Sequence, residues 1–108
     1  MAQPLKASGA GPYRDPAVGP GDPGSVTVGV VPILVLARNN YRLGAAFVNL
    51  STTNNISFGL GRTPVAGKGI TLTPNGAWWM DHRATFFTTE AIYAIATADP
   101  SELAFQEF

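Results

Sequence analysis

The sequence predicts an all-β protein: a single antiparallel β-sandwich, jelly-roll or immunoglobulin-like, of seven to eight short strands with an extended N-terminal arm. Short runs of alternating apolar and polar residues recur along the chain, and turn signals separate them about every 8–12 residues. No apolar pattern of helical period continues for ten residues. Glycine and proline dominate much of the first 24 residues, which sets that segment apart.

The N-terminal arm comprises residues 1–24, and the β-sandwich domain is predicted to comprise residues 25–108. In the Gly/Pro-rich part of the arm, only Tyr13 and Val18 have much apolar surface to bury. Proline removes backbone donors and glycine loses the most entropy on ordering, so this segment is expected to sample many conformations when alone. The body of the chain or a neighbouring molecule would have to order it.

The first strand signal begins directly after the arm. Val26, Val28 and Val30 alternate with small or polar residues, at the period of a half-buried strand. Pro32 cannot donate a ladder hydrogen bond and therefore marks a bulge or a sheet edge. Residues 33–36 are predicted to form a second strand, or a continuation of the first that crosses to the other sheet.

Two further strands and a hairpin are predicted in the middle of the chain. LGAAFVNLS at 43–51 is a third strand, and ISFGLG at 56–61 is a fourth with its large apolar residues on one face. GITLT at 69–73 and AWWMD at 77–81 are predicted to pair as a hairpin. The Pro-Asn-Gly segment between them supplies a fixed φ and a residue that accepts the left-handed conformation of a tight turn.

The last third of the chain contains β-branched, aromatic and alternating segments. ATFFTT at 84–89 is β-branched and aromatic. AIYAIATA at 91–98 has the alanines of a helix, but it is short, uncapped and bounded by an Asp-Pro pair, so a strand is predicted. Leu103 and Phe105 alternate with polar or small neighbours in the terminal strand.

Composition limits the classes of function. Only 13% of the residues are charged and the formal net charge is zero, so the footprint of a nucleic-acid-binding protein is missing. The chain has no cysteine, and therefore no disulfide framework or thiolate metal site. We recognise neither a secretory signal nor an apolar run of the roughly 18 residues that span a bilayer. We therefore expect contact with other proteins, and neither nucleic acid nor a membrane as partner.

The charges are unevenly distributed along the chain. Most basic residues precede residue 69, whereas most acidic residues follow it. The two halves of a folded sandwich interleave, which predicts charge pairing within the chain or with a neighbour rather than a basic face.

No residue pattern predicts catalysis, a cofactor or a metal. In GRTPVAGKG at 61–69, five residues separate the first glycine from the Gly-Lys pair and no Ser or Thr follows, so we interpret it as an inter-strand loop. A hydrolase would rest on the single histidine, His82, and Asp81 would point to the opposite face of an extended strand. The aspartates lack calcium-loop spacing. NLS at 49–51 and NIS at 55–57 match the glycosylation pattern but are interpreted as polar turn residues.

Trp78 and Trp79 form the most informative aromatic pair. In a strand one ring enters the core while the other faces outward. The outward ring could be a carbohydrate platform or a protein contact, or it could be covered by the arm or by the other sheet. Phe86 and Phe87 form a second pair. Together these residues offer more apolar surface than a small sandwich needs inside, which favours an oligomer or a docked partner.

Three segments of the chain resemble the small β-sandwich virion proteins of tailed bacteriophages, an accessory group that includes capsid decoration proteins and head-fibre or tail-associated modules. They are NNYRLGAAFVNLSTTNNISFGLG, GKGITLTPNGAWWMD and TEAIYAIATADPSELAFQEF. The resemblance covers most of residues 38–108 and carries over no catalytic residues. The matching elements are Arg42 with Asn49 and Ser51, Gly59, the hairpin from Gly69 to Gly76, and the strand from Ala91 to Thr97.

The resemblance implies a structural, non-enzymatic function. We expect a virion protein that decorates or cements the capsid, is made in the host bacterial cytoplasm, and has the major capsid protein or other virion subunits as partners, with homo-oligomerisation left open. The arm would dock on neighbouring subunits. The candidate partner-binding residues are Tyr13, Arg14, Val18, Trp78 and Trp79. The alternatives are a head-fibre or tail-associated module, and a carbohydrate-binding β-sandwich module that uses a tryptophan as its platform.

Overall fold

The computed structural model describes residues 23–84 and 86–108 of the chain. These residues form eight strands: β1 (Gly24–Val28), β2 (Ile33–Leu36), β3 (Gly44–Asn49), β4 (Ile56–Leu60), β5 (Thr71–Leu72), β6 (Ala77–Asp81), β7 (Ile92–Ala96) and β8 (Ser101–Glu107).

The eight strands form two four-stranded antiparallel sheets. Sheet 1 has the order β1-β8-β3-β6, and sheet 2 has the order β2-β7-β4-β5. Pairing is therefore nested: the first strand pairs with the last, β2 with β7, β3 with β6, and β4 with β5. Eight strands wound in this way are a jelly roll. The predicted antiparallel β-sandwich is confirmed, and of its two expected types the chain adopts the jelly roll.

The core lies between the inward faces of the two sheets. Alternating residues of β7 and β8 enter it, as the period of two requires. Phe47 and Phe58 meet there from opposite sheets, with ring centroids 5.2 Å apart. The buried apolar residues are Val28, Leu36, Ala45, Phe47, Ile56, Phe58, Leu72, Met80, Ile92, Ala94, Ala96 and Leu103.

The prediction for Pro32 is confirmed. Pro32 directly precedes β2, which is an edge strand of sheet 2. The pairing of β2 with β7 also shifts register between Leu34 and Leu36. A proline beside an edge strand costs no ladder hydrogen bond, because the outer side of that strand has no partner strand among the described residues.

The predicted hairpin between residues 69–73 and 77–81 is wrong, because β5 pairs with β4 in sheet 2 whereas β6 pairs with β3 in sheet 1. The turn itself is present: the Gly76 N–H donates to the Thr73 carbonyl at 2.7 Å, and Asn75 has a φ of 63°. Proline followed by a residue with positive φ is the signature of a type II turn, which splays the flanking strands. The chain therefore crosses between the sheets at this turn.

A fully buried arginine joins three segments at one end of the sandwich. The Arg42 Nε donates to Glu107 Oε2 at 2.7 Å. Its terminal nitrogens donate to the backbone carbonyls of Thr88, Glu90 and Ala37 at distances of 2.8–3.1 Å. The described residues of the ATFFTT segment form no strand, and the Thr88 carbonyl is used by Arg42 instead of a sheet ladder.

A fully buried asparagine plays the matching role at the other end of β3. The Asn49 Nδ2 donates to the carbonyls of Asn54, Leu72 and Thr73 at 2.8–3.2 Å. Its Oδ1 accepts the Ser51 N–H at 2.9 Å. This one side chain fixes the loop after β3 and the crossing from β5 to β6.

The prediction that charges pair within the chain is also confirmed. Arg42 contacts Glu107, and Arg38 lies 3.7 Å from Glu90. In each pair a basic residue of the first half meets an acidic residue of the second half, because the nested strand order interleaves the two halves.

Candidate functional site

The outward face of sheet 1 carries an exposed tryptophan. On β6 the Trp78 side chain points inward, so its neighbours Ala77 and Trp79 point outward. Trp79 pairs with Ala46 on β3, and Ala77 pairs with Val48. The Trp79 residue is 66% exposed and stands beside side chains much smaller than itself. This arrangement makes the ring the tallest apolar feature of the surface.

We call this surface the Trp79 face. The register of the four strands places on it Ser25, Thr27, Ala46, Val48, Ala77, Trp79, Asp81, Glu102, Ala104 and Gln106. Its two charged side chains are both acidic, and Glu102 accepts a hydrogen bond from Thr27 Oγ1 at 2.9 Å. The centre of the face therefore carries uncharged and mostly small side chains, and one large ring stands near its β6 edge.

Trp78 belongs to the core side of the same strand. Its ring stacks on Phe47 with centroids 5.0 Å apart and planes inclined by 14°. Phe58 and Phe86 flank it at 5.4 and 6.2 Å. The prediction that one tryptophan enters the core while the other faces outward is confirmed, and Trp79 is the one that can meet a partner.

The chain enters sheet 1 at the level of these tryptophans. Gly24 pairs with Phe105, which pairs with Phe47, which in turn pairs with Trp78. Strands lie about 4.8 Å apart, so Gly24 and Trp78 are separated by roughly 14 Å across the sheet. The arm residues Tyr13, Arg14 and Val18, predicted to bind a partner, lie outside the described residues.

A second exposed apolar area lies at the connection from β1 to β2. Val30 and Val31 are more than half exposed, and Leu34 is nearly so. Leu34 pairs with Tyr93 on the outward face of sheet 2. This area, which we call the β2 rim, gives a natural comparison for the Trp79 face.

The loop between β4 and β5 folds across the outside of β4. The Gly67 N–H donates to Ser57 Oγ at 2.9 Å, and Ser57 Oγ lies 2.8 Å from Thr71 Oγ1. A depression of about 380 Å³ lies here, with Arg62 and Lys68 in its lining. A strand follows the loop where a phosphate-binding loop would need a helix, so its interpretation as an inter-strand loop is confirmed.

The geometry at His82 differs from the expectation. β6 ends at Asp81, and the turn that begins at His82 brings its Nδ1 to 3.3 Å from Asp81 Oδ1. The prediction that Asp81 points away from His82 assumed an extended strand and is wrong here. Nδ1 also lies 3.1 Å from the Leu43 carbonyl, and two oxygen neighbours favour the tautomer with a hydrogen on Nδ1. No described serine or threonine hydroxyl is hydrogen-bonded to the ring.

The two glycosylation-like motifs fall at the ends of strands. Asn49 is fully buried, with its amide hydrogen-bonded. The Asn55 N–H donates a hydrogen bond to Thr97 Oγ1 at 3.1 Å. In the part of the chain that the structure describes, no group of three or more His, Asp or Glu side chains could hold a metal ion. The same part contains no helix with the length and apolar character of a membrane span.

Sequence reasoning did not identify Arg42 as a buried residue. Arginine is almost never fully buried unless it is paired, and the sequence gives no local sign that Glu107 would reach it. From the sequence we interpret the polar Asn49 as a turn residue. In the structure it is the last residue of β3, and its side chain lies on the core-facing side of that strand. Both belong to the fold's internal polar network rather than to the exposed surface.

A scan against protein-family models, a search of curated proteins and a search of solved structures each found no match to this chain.

Proposed function

We propose that this chain is a structural, non-enzymatic virion protein of a tailed phage, which decorates or cements the capsid. In this proposal the N-terminal arm and the Trp79 face bind the major capsid protein or another shell subunit. The observation that carries the proposal is Trp79 itself, 66% exposed above a flat and almost uncharged surface. Aromatic side chains are enriched, and charged side chains are depleted, at the centre of protein interfaces.

Two further features support this proposal. Jelly rolls are common in viral capsid domains, although the fold alone does not define a function. Gly24 leads into sheet 1 at the level of Trp78, so an arm that precedes it could reach the same partner as the Trp79 face. The protein would be made in the host bacterial cytoplasm and end on the capsid surface.

The copy number per particle tests the proposed position. Quantitative mass spectrometry of purified virions should find the chain in a simple ratio to the major capsid protein. A copy number far below the shell subunit would support a head-fibre or tail-associated module instead. Absence from the particle would refute the virion proposal.

Particle binding tests the proposed surface. Trp79→Ala should lose most binding to particles that lack the protein, because the ring supplies the largest exposed apolar area on this face. Leu34→Ala on the β2 rim is the matched control, since it also removes a large exposed apolar side chain, and it should bind normally. If Leu34→Ala loses binding and Trp79→Ala retains it, the face is wrongly assigned.

Carbohydrate binding is the second candidate, and the same residue favours it. An exposed tryptophan can stack on a sugar ring, and lectins are another class with jelly-roll domains. Asp81, two residues from Trp79 on the same face, could accept hydrogen bonds from sugar hydroxyls. A glycan array probed with the purified chain separates the two candidates. A signal that is lost in Trp79→Ala would support carbohydrate binding, and the absence of any signal would favour the virion proposal.

A further inference from the structure

The edge of β6 that faces away from β3 has no neighbouring strand in the part of the chain that the structure describes. At one end of the strand the His82 N–H donates to the Leu43 carbonyl, and at the other the Asn49 N–H donates to the Gly76 carbonyl. Residues along an antiparallel strand alternate between bonding to one neighbour and facing away from it. Even-numbered residues of β6 therefore bond to β3. The N–H and C=O groups of Ala77 and Trp79, and the N–H of Asp81, face outward.

None of these outward groups has a hydrogen-bond partner among the described residues. The Asp81 carbonyl differs, because it accepts the Ala84 N–H at 2.8 Å. Within residues 23–84 and 86–108, β3 is the one strand neighbour of β6, and the five residues of β6 contain no proline, lysine or bulge. Soluble proteins normally protect an edge strand with one of those devices.

The edges of sheet 2 are protected. β2 follows Pro32 and has a shifted register, which interrupts a regular ladder. β5 is only two residues long. The other edge of sheet 1 is β1, whose outward groups belong to Ser25 and Thr27, because the Leu50 N–H to Glu102 carbonyl bond assigns the even residues of β8 to β3. β6 is thus the longer run of outward donors and acceptors, and it carries the exposed tryptophan.

We infer that β6 pairs with β6 of a second copy of this chain, antiparallel and centred on Trp79, so that two copies share one eight-stranded sheet. A two-fold axis beside Trp79 makes the strand its own partner. Each Trp79 N–H then donates to the Trp79 carbonyl of the other copy. Each Asp81 N–H donates to the Ala77 carbonyl of the other copy.

Charge and shape agree with this register. Asp81 faces Ala77 of the other copy, so the two carboxylates lie at opposite ends of the paired strands and do not repel each other closely. The two Trp79 rings come side by side on one face, and cross-strand aromatic pairs stabilise a sheet. The Trp79 faces of both copies remain open on the same side, so pairing doubles the proposed binding surface without covering it.

The expected affinity is modest. A pair of five-residue strands with two aromatic rings buries less than the roughly 1,200–2,000 Å² of a standard stable interface. We therefore expect a dimer that dissociates in the micromolar range. Sedimentation velocity of the full chain between roughly 1 and 300 µM should show a monomer that converts to a dimer as concentration rises.

Single-cysteine variants test the register, because the natural chain has no cysteine. Directly opposite residues in a hydrogen-bonded pair lie about 5.5 Å apart between Cα atoms, which a disulfide can span. Trp79→Cys should therefore give a covalent dimer on oxidation. Ala77→Cys is the matched control on the same face of the same strand. Its two copies lie about 13 Å apart in this register and should not cross-link.

Two lysine variants test the strand. Trp79→Lys should sediment as a monomer at every concentration while its circular dichroism stays that of the natural chain, because residue 79 is exposed. Thr27→Lys on the β1 edge should still dimerise. The inference is overturned if the natural chain stays monomeric throughout the range, if Ala77→Cys cross-links as readily as Trp79→Cys, if Trp79→Lys still dimerises, or if Thr27→Lys does not. These measurements use no virus particle, so their outcome does not depend on whether the proposed function is correct.

Discussion

Replacing Arg42 with methionine should destabilise the fold more than any exposed substitution in this chain. The arginine side chain is completely buried, and its guanidinium donates four hydrogen bonds. One of these goes to the Glu107 carboxylate, two go to the carbonyls of Thr88 and Glu90 in one segment, and one goes to the carbonyl of Ala37 in another. A methionine side chain fills most of the volume of the arginine side chain but offers no hydrogen-bond donor.

The magnitude follows from what remains after the substitution. The Glu107 side chain is only 20% exposed, so its carboxylate would stay largely buried without its cation. Removing one partner of a buried ion pair costs about 3–5 kcal/mol. Each carbonyl left without a donor adds up to about 1–3 kcal/mol unless water reaches it. We expect a loss of about 3–5 kcal/mol, a large part of the roughly 5–15 kcal/mol that stabilises a typical domain.

Urea unfolding followed by tryptophan fluorescence measures this loss. Arg38→Met is the matched control, because Arg38 is 63% exposed and lies 3.7 Å from a half-exposed Glu90. An exposed pair of this kind contributes about 0–1 kcal/mol. Arg42→Lys should fall between the two, since an ammonium keeps the charge but not the planar fork. Equal unfolding midpoints for Arg42→Met and Arg38→Met would refute the reasoning.

Three further predictions concern single residues. Asn49→Asp should lower the free energy of unfolding by at least about 3 kcal/mol in urea titrations, because it replaces a buried amide donor with an anion that faces carbonyl oxygens. Asn49→Ala should lower that free energy by less. Gly59→Ala should lower the free energy of unfolding by about 1–3 kcal/mol, because the added Cβ would overlap the backbone of the loop after β4. Gly67 has a φ of 78° and open space around it, so Gly67→Ala should cost only about 1 kcal/mol. Equal shifts in the thermal unfolding midpoint would contradict this prediction. Trp78→Ala should lower the free energy of unfolding by about 3–5 kcal/mol, and Trp79→Ala by less than about 0.5 kcal/mol. Trp79→Ala should also shift the remaining tryptophan fluorescence to the blue, because only the core ring is left. The reverse order of stabilities would mean that the wrong ring has been placed in the core.

The sequence was most informative where alternation decides the structure. The inward and outward sides of β6 and β8 follow from a period of two, and so does the different fate of Trp78 and Trp79. These features depend on neighbours in the chain, so they can be recognised before the strand partners are known.

Strand partners could not be recognised in this way. The turn at Asn75 was predicted correctly, and yet its two strands belong to different sheets. Turn chemistry fixes a local reversal of the chain, whereas pairing depends on which edges are free in the assembled sandwich. The type II geometry is the one local sign, because hairpins prefer turns of the mirror-image types.

The ATFFTT segment shows a second limit. Its β-branched and aromatic residues favour a strand, but strand propensity is decided by the neighbours a segment finds. The Thr88 carbonyl accepts a hydrogen bond from the guanidinium of Arg42, and the Phe86 ring lies beside Trp78 with ring centroids 6.2 Å apart. Long-range contacts of a residue more than forty positions away therefore determine the conformation, and no local pattern contains them.

The positions of the polar network and of the Trp79 face make stability and binding separable. Arg42 and Asn49 fix the loops at the two ends of β3 from inside, whereas the exposed ring of Trp79 makes no hydrogen bond or ring contact with the described residues. A substitution at Trp79 should therefore change what the protein binds without changing how well it folds. A substitution at Arg42 should do the opposite until the domain unfolds. Because β3 lies directly beside β6, the fixed loops also hold the edge strand in place before any partner arrives, and a preorganised surface loses less entropy on binding.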